Sequence, residues 1–225
     1  MRGLLTLMVI VGLTGCGFVR SSHTAFHTLN SGYKSKDIAV VPGNNELSNS
    51  LQFATFKSKL ELKLRQSGFR ISQDPSSTSL LAYLNYGIDG GTTTTHTGST
   101  PIYGQTGGGT TFHSGTANAY GTRGSAYGTY SGSSYTMPTY GVVGSQAYSF
   151  NRTTYKRVLA VDILDREQLK AGKPKKIYEV KLTSSGSCSQ IAGVFDALLE
   201  ALFKDFPGES GRSQRTTIDW DSSKC

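Results

Sequence analysis

Apolar positions recur along this chain with two different periods, and the switches between them mark out its elements. DIAVVP, Asp37–Pro42, is a compact β-branched run closed by Pro42 and Gly43, which predicts a buried strand. Over residues 47–66 the spacing becomes helical: Phe53, Phe56, Leu60 and Leu64 fall on one face, and Gly68 supplies a C-terminal stop. Residues 69–72 and 80–88 read as two more strands, joined by QDPSST, in which Asp74 and Pro75 favour a turn.

A second block opens near Ala147. Val158, Ala160 and Asp162 alternate with Leu159, Val161 and Ile163, the period of a strand with one apolar face. KIYEVKLTS, residues 176–184, reads as its hairpin partner across a turn holding Gly172 and Pro174. After Ser189, a candidate N-cap, residues Ile191, Val194, Phe195, Leu198, Leu202 and Phe206 form a helical stripe that stops at Pro207 and Gly208. Burying those six side chains is worth about 10 kcal/mol at most, which makes this helix central to the core. RTTIDW, residues 215–220, is a candidate last short strand, and 221–225 a polar tail. The expectation is an α+β fold: a two-layer α/β sandwich with a mixed or antiparallel sheet of about five strands and two helices, forming one domain over residues 36–220.

That domain is interrupted. Of the 58 residues 90–147, 14 are Gly, 14 Thr and 7 Ser, and Arg123 is the only charge. So little aliphatic surface does not offset the entropy of ordering a glycine-rich chain, so the segment reads as a flexible insertion. It nevertheless carries six tyrosines, Tyr103, Tyr120, Tyr127, Tyr130, Tyr135 and Tyr140, and the tetrapeptide AYGT twice. A folded arm that extends the flanking strands as a polar hairpin, for self-association or for stacking on sugars, is the second reading.

The beginning, MRGLLTLMVIVGLTGC, changes the picture most. One basic residue, Arg2, precedes an apolar run from Gly3 to Leu13 and then small residues, the layout of a secretory signal, and the run is too short for the roughly 20 residues of a membrane span. Leu13, Thr14, Gly15 and Cys16 resemble the lipobox of bacterial lipoproteins, which implies cleavage after Gly15 and lipidation of Cys16. A plain secretory signal with a chance cysteine is the alternative. On the first reading residues 1–15 are a lipoprotein signal peptide and 16–35 a lipidated tether. Gly17, standing where an Asp favours inner-membrane retention in such proteins, points to the outer membrane and its periplasmic face.

Charge adds little: 23 Lys plus Arg against 15 Asp plus Glu give a net +8, a modest bias toward acidic surfaces. The densest basic group, KPKK at 173–176, is too short for a nucleic-acid patch, and no nucleic-acid partner is expected. Cys188 and Cys225 form a candidate disulfide in an exported chain, or else a buried free thiol and a frayed terminal one. Catalysis finds no foothold. The histidines His23, His27, His96 and His113 fall in the tether and the insertion, where nothing rigid is expected to hold them as a base or as metal ligands. Asp162 and Asp165 are too few for a glycosidase pair, and Asp162 reads more simply as the partner of a basic neighbour. No catalytic residue, metal or cofactor is expected.

With IAVVP, the helix closed by SGF, DPSSTSLLAYLNYG, TTYKRVLAVDILD and LLEALFKDFP on the page, the chain resembles the bacterial lipoprotein family called domain of unknown function forty-one thirty-six. The resemblance covers roughly residues 36–207 outside the insertion, with Tyr178 where relatives often carry Trp. It implies an α/β sandwich in the cell envelope and supplies no activity. The functional expectation is a non-enzymatic, membrane-anchored envelope lipoprotein, a structural or protein-interaction module that docks on another envelope protein. The alternative is a peptidoglycan or polysaccharide binding module using Tyr120, Tyr127, Tyr130 and Tyr135.

Overall fold

The computed structural model describes residues 16–225, so the leader and the lipobox positions Leu13, Thr14 and Gly15 lie outside the described residues. Eight strands and four α-helices are present among them, two of the helices a single turn long. In order they are β1 (Cys16–His27), α1 (Ser31–Lys34), β2 (Asp37–Pro42), α2 (Leu51–Gln66), β3 (Arg70–Ile71), β4 (Leu80–Ile88), β5 (Thr92–Gly121), β6 (Gly124–Asp165), α3 (Arg166–Lys170), β7 (Lys175–Gly186), α4 (Ile191–Phe203) and β8 (Ser213–Asp221). The strands join one mixed sheet of order β3-β2-β4-β6-β7-β1-β8, with β5 paired to β6. The described residues divide into two compact units, residues 16–93 with 153–225, and residues 94–152.

In the first unit β2 lies parallel to β3 and β4, because α2 is the crossover that returns the chain to the same edge. All other pairings there are antiparallel. The period-two pattern of β6 sends Leu159, Val161 and Ile163 to one face, where β7 adds Ile177, Val180 and Leu182 and β4 adds Leu80, Ala82 and Leu84. α2 and α4 close over this face. Phe56 of α2 stacks on Phe195 of α4 with ring centroids 3.7 Å apart, and Tyr86 of β4 meets both rings edge-on. Ser50 caps α2, its hydroxyl accepting from the Phe53 N–H at 3.3 Å. α4 has no such help: its cap residue is Gln190 rather than Ser189, and no side chain bonds there. Its stripe is therefore held by packing, with Val194, Phe195 and Leu198 fully buried.

The expected five-stranded, two-helix sandwich is overturned by this single eight-stranded mixed sheet. Two segments account for the difference. Residues 16–27, expected within a tether, form β1 between β7 and β8, in register from Cys16 opposite Asp221 to His27 opposite Tyr178. The glycine-rich insertion, expected as a flexible loop, forms the long arms of β5 and β6.

The second unit is a two-stranded ribbon turning at Thr122 and Arg123. Thr and Tyr are strong strand formers, and their density overrides the glycine penalty. The glycines are also placed where a bulky neighbour covers them. Tyr130 lies over Gly115 and Tyr148 over Gly98, so closely that a Cβ at either glycine would strike the ring. Thr95 bonds Asn151 at 2.8 Å, and His96 stacks on Phe150 at 5.3 Å.

Candidate functional site

Each unit carries one surface with chemistry on it. On the ribbon, Tyr120, Tyr127, Tyr130 and Tyr135 are all exposed, from 59% for Tyr130 to 85% for Tyr120. Strand alternation puts Tyr127 and Tyr135 of β6 on one face and Tyr130 and Tyr140 on the other. The structure therefore does not bring the four candidate tyrosines into one platform. Between Tyr127 and Tyr135 the same face presents Thr129, Ser131 and Ser133, so two phenols flank three hydroxyls. Phe112, Met137 and Tyr140 are also more than 70% exposed, and between residues 94 and 152 the only charges are Arg123 and Arg152.

In the first unit the sheet has an inner face under the helices and an outer face open to solvent. β1 shows the split most clearly: Val19, Ser21, His23 and Ala25 are buried, while Phe18, Arg20 and Phe26 are exposed. On the outer face Arg20, Ser22, Thr183, Ser185, Arg215 and Thr217 line a shallow hollow of about 400 Å³. The register explains the grouping. Arg20 pairs with Thr217, and Ser22 lies between Thr183 and Arg215, so cations and hydroxyls from three strands meet in two neighbouring rows. Lys156 of β6 stands opposite Ser185, and Lys181 opposite Thr24. None of Arg20, Lys156, Lys181 and Arg215 makes an ion pair among the described residues. Arg20 rests instead over the Phe18 ring at 4.6 Å.

On the inner face a different arginine is hidden. Arg157 of β6 is 3% exposed, its guanidinium packs against Gly186, and Nε has no hydrogen-bond partner among the described residues. Burial pulls its pKa below the usual arginine value. This residue does not stand out in the sequence: it follows Lys156 directly, and nothing local distinguishes the arginine that turns inward from the lysine that turns outward.

Cys188 and Cys225 are joined in a disulfide with Cα atoms 5.6 Å apart. It pins the C-terminus over the start of α4, where Trp220 donates its indole N–H to the Gly193 carbonyl at 2.6 Å. The Cys16 backbone opens β1; its side chain lies outside the description.

The histidines, expected to lie unheld in tether and insertion, are all in strands. His23 is buried with Nδ1 unpartnered, and desolvation lowers its pKa against a smaller opposing effect of Asp205. His27 bonds the Gly208 carbonyl through Nε2 at 3.0 Å. His113 Nε2 lies 2.9 Å from Ser134 Oγ, yet residues 94–152 contain no carboxylate to orient that ring as a catalytic base. Asp162 pairs with Lys176 at 3.0 Å, and Asp165 caps α3, so both carboxylates have structural partners. No group of three metal-ligating side chains occurs among the described residues, and no described helix is long and apolar enough to cross a membrane.

No curated protein matches the chain. The crystal structure of a PDZ domain protein from Parabacteroides distasonis is similar over 92% of this chain and 40% of that one, with 10% identity and a TM-score of 0.44. The present chain thus spans less than half of that protein's length. The model of a family described as a domain of unknown function, DUF4136, matches residues 21–208. That match runs from within β1 through β7, with all four helices and the insertion, and the chain belongs to the DUF4136 family.

Proposed function

We propose that this protein is a lipid-anchored, non-enzymatic interaction module of a bacterial cell envelope, held at the periplasmic face of the outer membrane by Cys16, with the ribbon as its binding arm. The observation that carries this reading is the ribbon itself. A two-stranded hairpin is marginal in water without a third strand or a helix behind it, and within its own unit this one has neither. Its outer edges present unpaired backbone N–H and C=O groups, with almost no charge to repel an incoming strand. Such an edge suits addition of a strand from an envelope protein, in which main-chain hydrogen bonds supply affinity and exposed tyrosines supply selectivity. The lipobox-like LTGC supports an envelope location for the arm.

A second reading, binding of peptidoglycan or polysaccharide, is supported by the Tyr127-to-Tyr135 face, where hydroxyls between two phenols suit a sugar chain. One experiment separates the two. Crosslinking in cells followed by mass spectrometry, with the full chain and with residues 94–152 excised, should lose one specific envelope protein on excision. Loss of wall fragments instead would support the second reading. An unchanged set of crosslinks would refute both.

A further inference from the structure

The outer sheet face lies beside the proposed anchor with no slack between them. Cys16 is the first residue of β1 and is already in register with Asp221, so Arg20 stands about 14 Å along the strand from the acylated end. With Cys16 held at headgroup level, Arg20 and Arg215, about 14 and about 20 Å along the strand, enter the headgroup field, which falls off over about 8 Å in physiological salt, when this sheet face lies along the membrane rather than upright on it. Along β1 the same face reads Phe18, Arg20, Ser22, Thr24, Phe26. An aromatic residue stands at each end, 56% and 59% exposed, with a cation and hydroxyls between them. Lys156 and Lys181 extend the basic area onto β6 and β7. The carboxylates on this face lie at its margins: Asp221 opposite Cys16, Asp219 beside Phe18, Asp89, which accepts from the Lys156 backbone N–H, and Glu179 beside Phe26, the latter held with Asp162 by Lys176.

We propose that this face, built on Phe18, Arg20, Lys156, Lys181, Arg215 and Phe26, lies flat on the membrane that carries the anchor and binds the phosphate groups of anionic lipid headgroups. Unpaired cations supply the attraction, Ser22, Ser185 and Thr217 donate hydrogen bonds to phosphate oxygens, and the two phenylalanines enter the interfacial layer. The inference rests on the anchor for its orientation, while headgroup binding itself is a property of the face and is measured without the anchor.

The test is flotation of the full chain carrying Cys16→Ser with two kinds of vesicle, pure phosphatidylcholine and phosphatidylcholine mixed with phosphatidylglycerol. Binding to the anionic vesicles should exceed binding to the neutral ones and weaken with salt. Each arginine neutralised should cost about fivefold, so Arg20→Gln with Arg215→Gln should lose about 25-fold. Arg20→Lys with Arg215→Lys should retain binding, and thermal melts of both double variants should match the parent. Equal flotation with both vesicle types, or an unchanged Gln variant, would overturn the proposal. So would full competition by inorganic phosphate, which would make the hollow a small-anion site. If the wild-type chain proves unlipidated in cells while the vesicle result holds, the anchor fails and the headgroup site stands.

Discussion

Replacing Cys225 with Ser removes the bond that ties the last residues to the start of α4, and its cost follows from the chain. The two cysteines are 37 residues apart in sequence, and closing a loop of that length in the unfolded state is worth about 4 kcal/mol in the chain-entropy model. The bond also holds the Lys224 carbonyl against Gly193, and Trp220 donates to the Gly193 carbonyl beside it, so the C-terminus reinforces a helix that has no side-chain N-cap. Trp220 is the only tryptophan and reports on this corner directly. Urea unfolding followed by its emission should move to a lower midpoint by about 1.5 M, taking a slope of about 2–3 kcal/mol/M. Wild-type protein in reductant should give the same curve as Cys225→Ser. A midpoint shift below about 0.3 M would refute the reasoning, because it would mean that the unfolded chain gains almost no freedom when the bond is absent.

Phe195→Ala should cost about 3–5 kcal/mol by the same urea assay, since the ring is fully buried and stacked on Phe56; a cost below about 1 kcal/mol would mean that α4 is not packed as described. Gln190→Asp should raise stability by about 0.5–1 kcal/mol by capping α4, and a thermal melt reads the gain. His23 has a folded-state pKa below its unfolded value, so the stability it confers is present above about pH 6.5 and lost as pH falls from there toward the folded pKa. Urea midpoints between pH 7 and pH 5 should fall for the wild type and fall less for His23→Gln. Joining Thr93 to Thr153, whose hydroxyls are 2.8 Å apart, through an Asn-Gly turn in place of residues 94–152 should leave the Trp220 transition where it is. A large loss would mean that the first unit depends on the ribbon.

The core was legible because its strands and helices keep clean periods. Phe53, Phe56, Leu60 and Leu64 mark α2, and the alternation from Val158 to Ile163 marks β6, in residues that nothing but burial would space that way. β1 was hidden by its own chemistry. Its inward positions are Val19, Ser21, His23 and Ala25, two of them polar, so the alternation carries little hydrophobic contrast. Ser21 lies buried between Thr216 and Ser184, and His23 between Gln214 and Leu182, a match between distant segments that no local window contains. The ribbon was missed for a different reason. Composition weighs the glycines as a loss of order, whereas their value is positional: Gly98 and Gly115 each sit beneath a tyrosine of the other strand. Of the candidate site, the tyrosines and both bonded cysteines were visible in sequence. The basic outer face was not, because Arg20, Lys156, Lys181 and Arg215 come from four strands and only the register gathers them.

The proposed membrane attachment depends above all on Cys16. Intact mass and N-terminal fragmentation of the protein extracted from the membrane fraction of its native cells would test it most directly. The predicted result is a chain beginning at Cys16 whose first residue carries a diacylglyceryl thioether and an amide-linked acyl group. A chain beginning elsewhere, or an unmodified Cys16, would contradict the lipid-anchored reading.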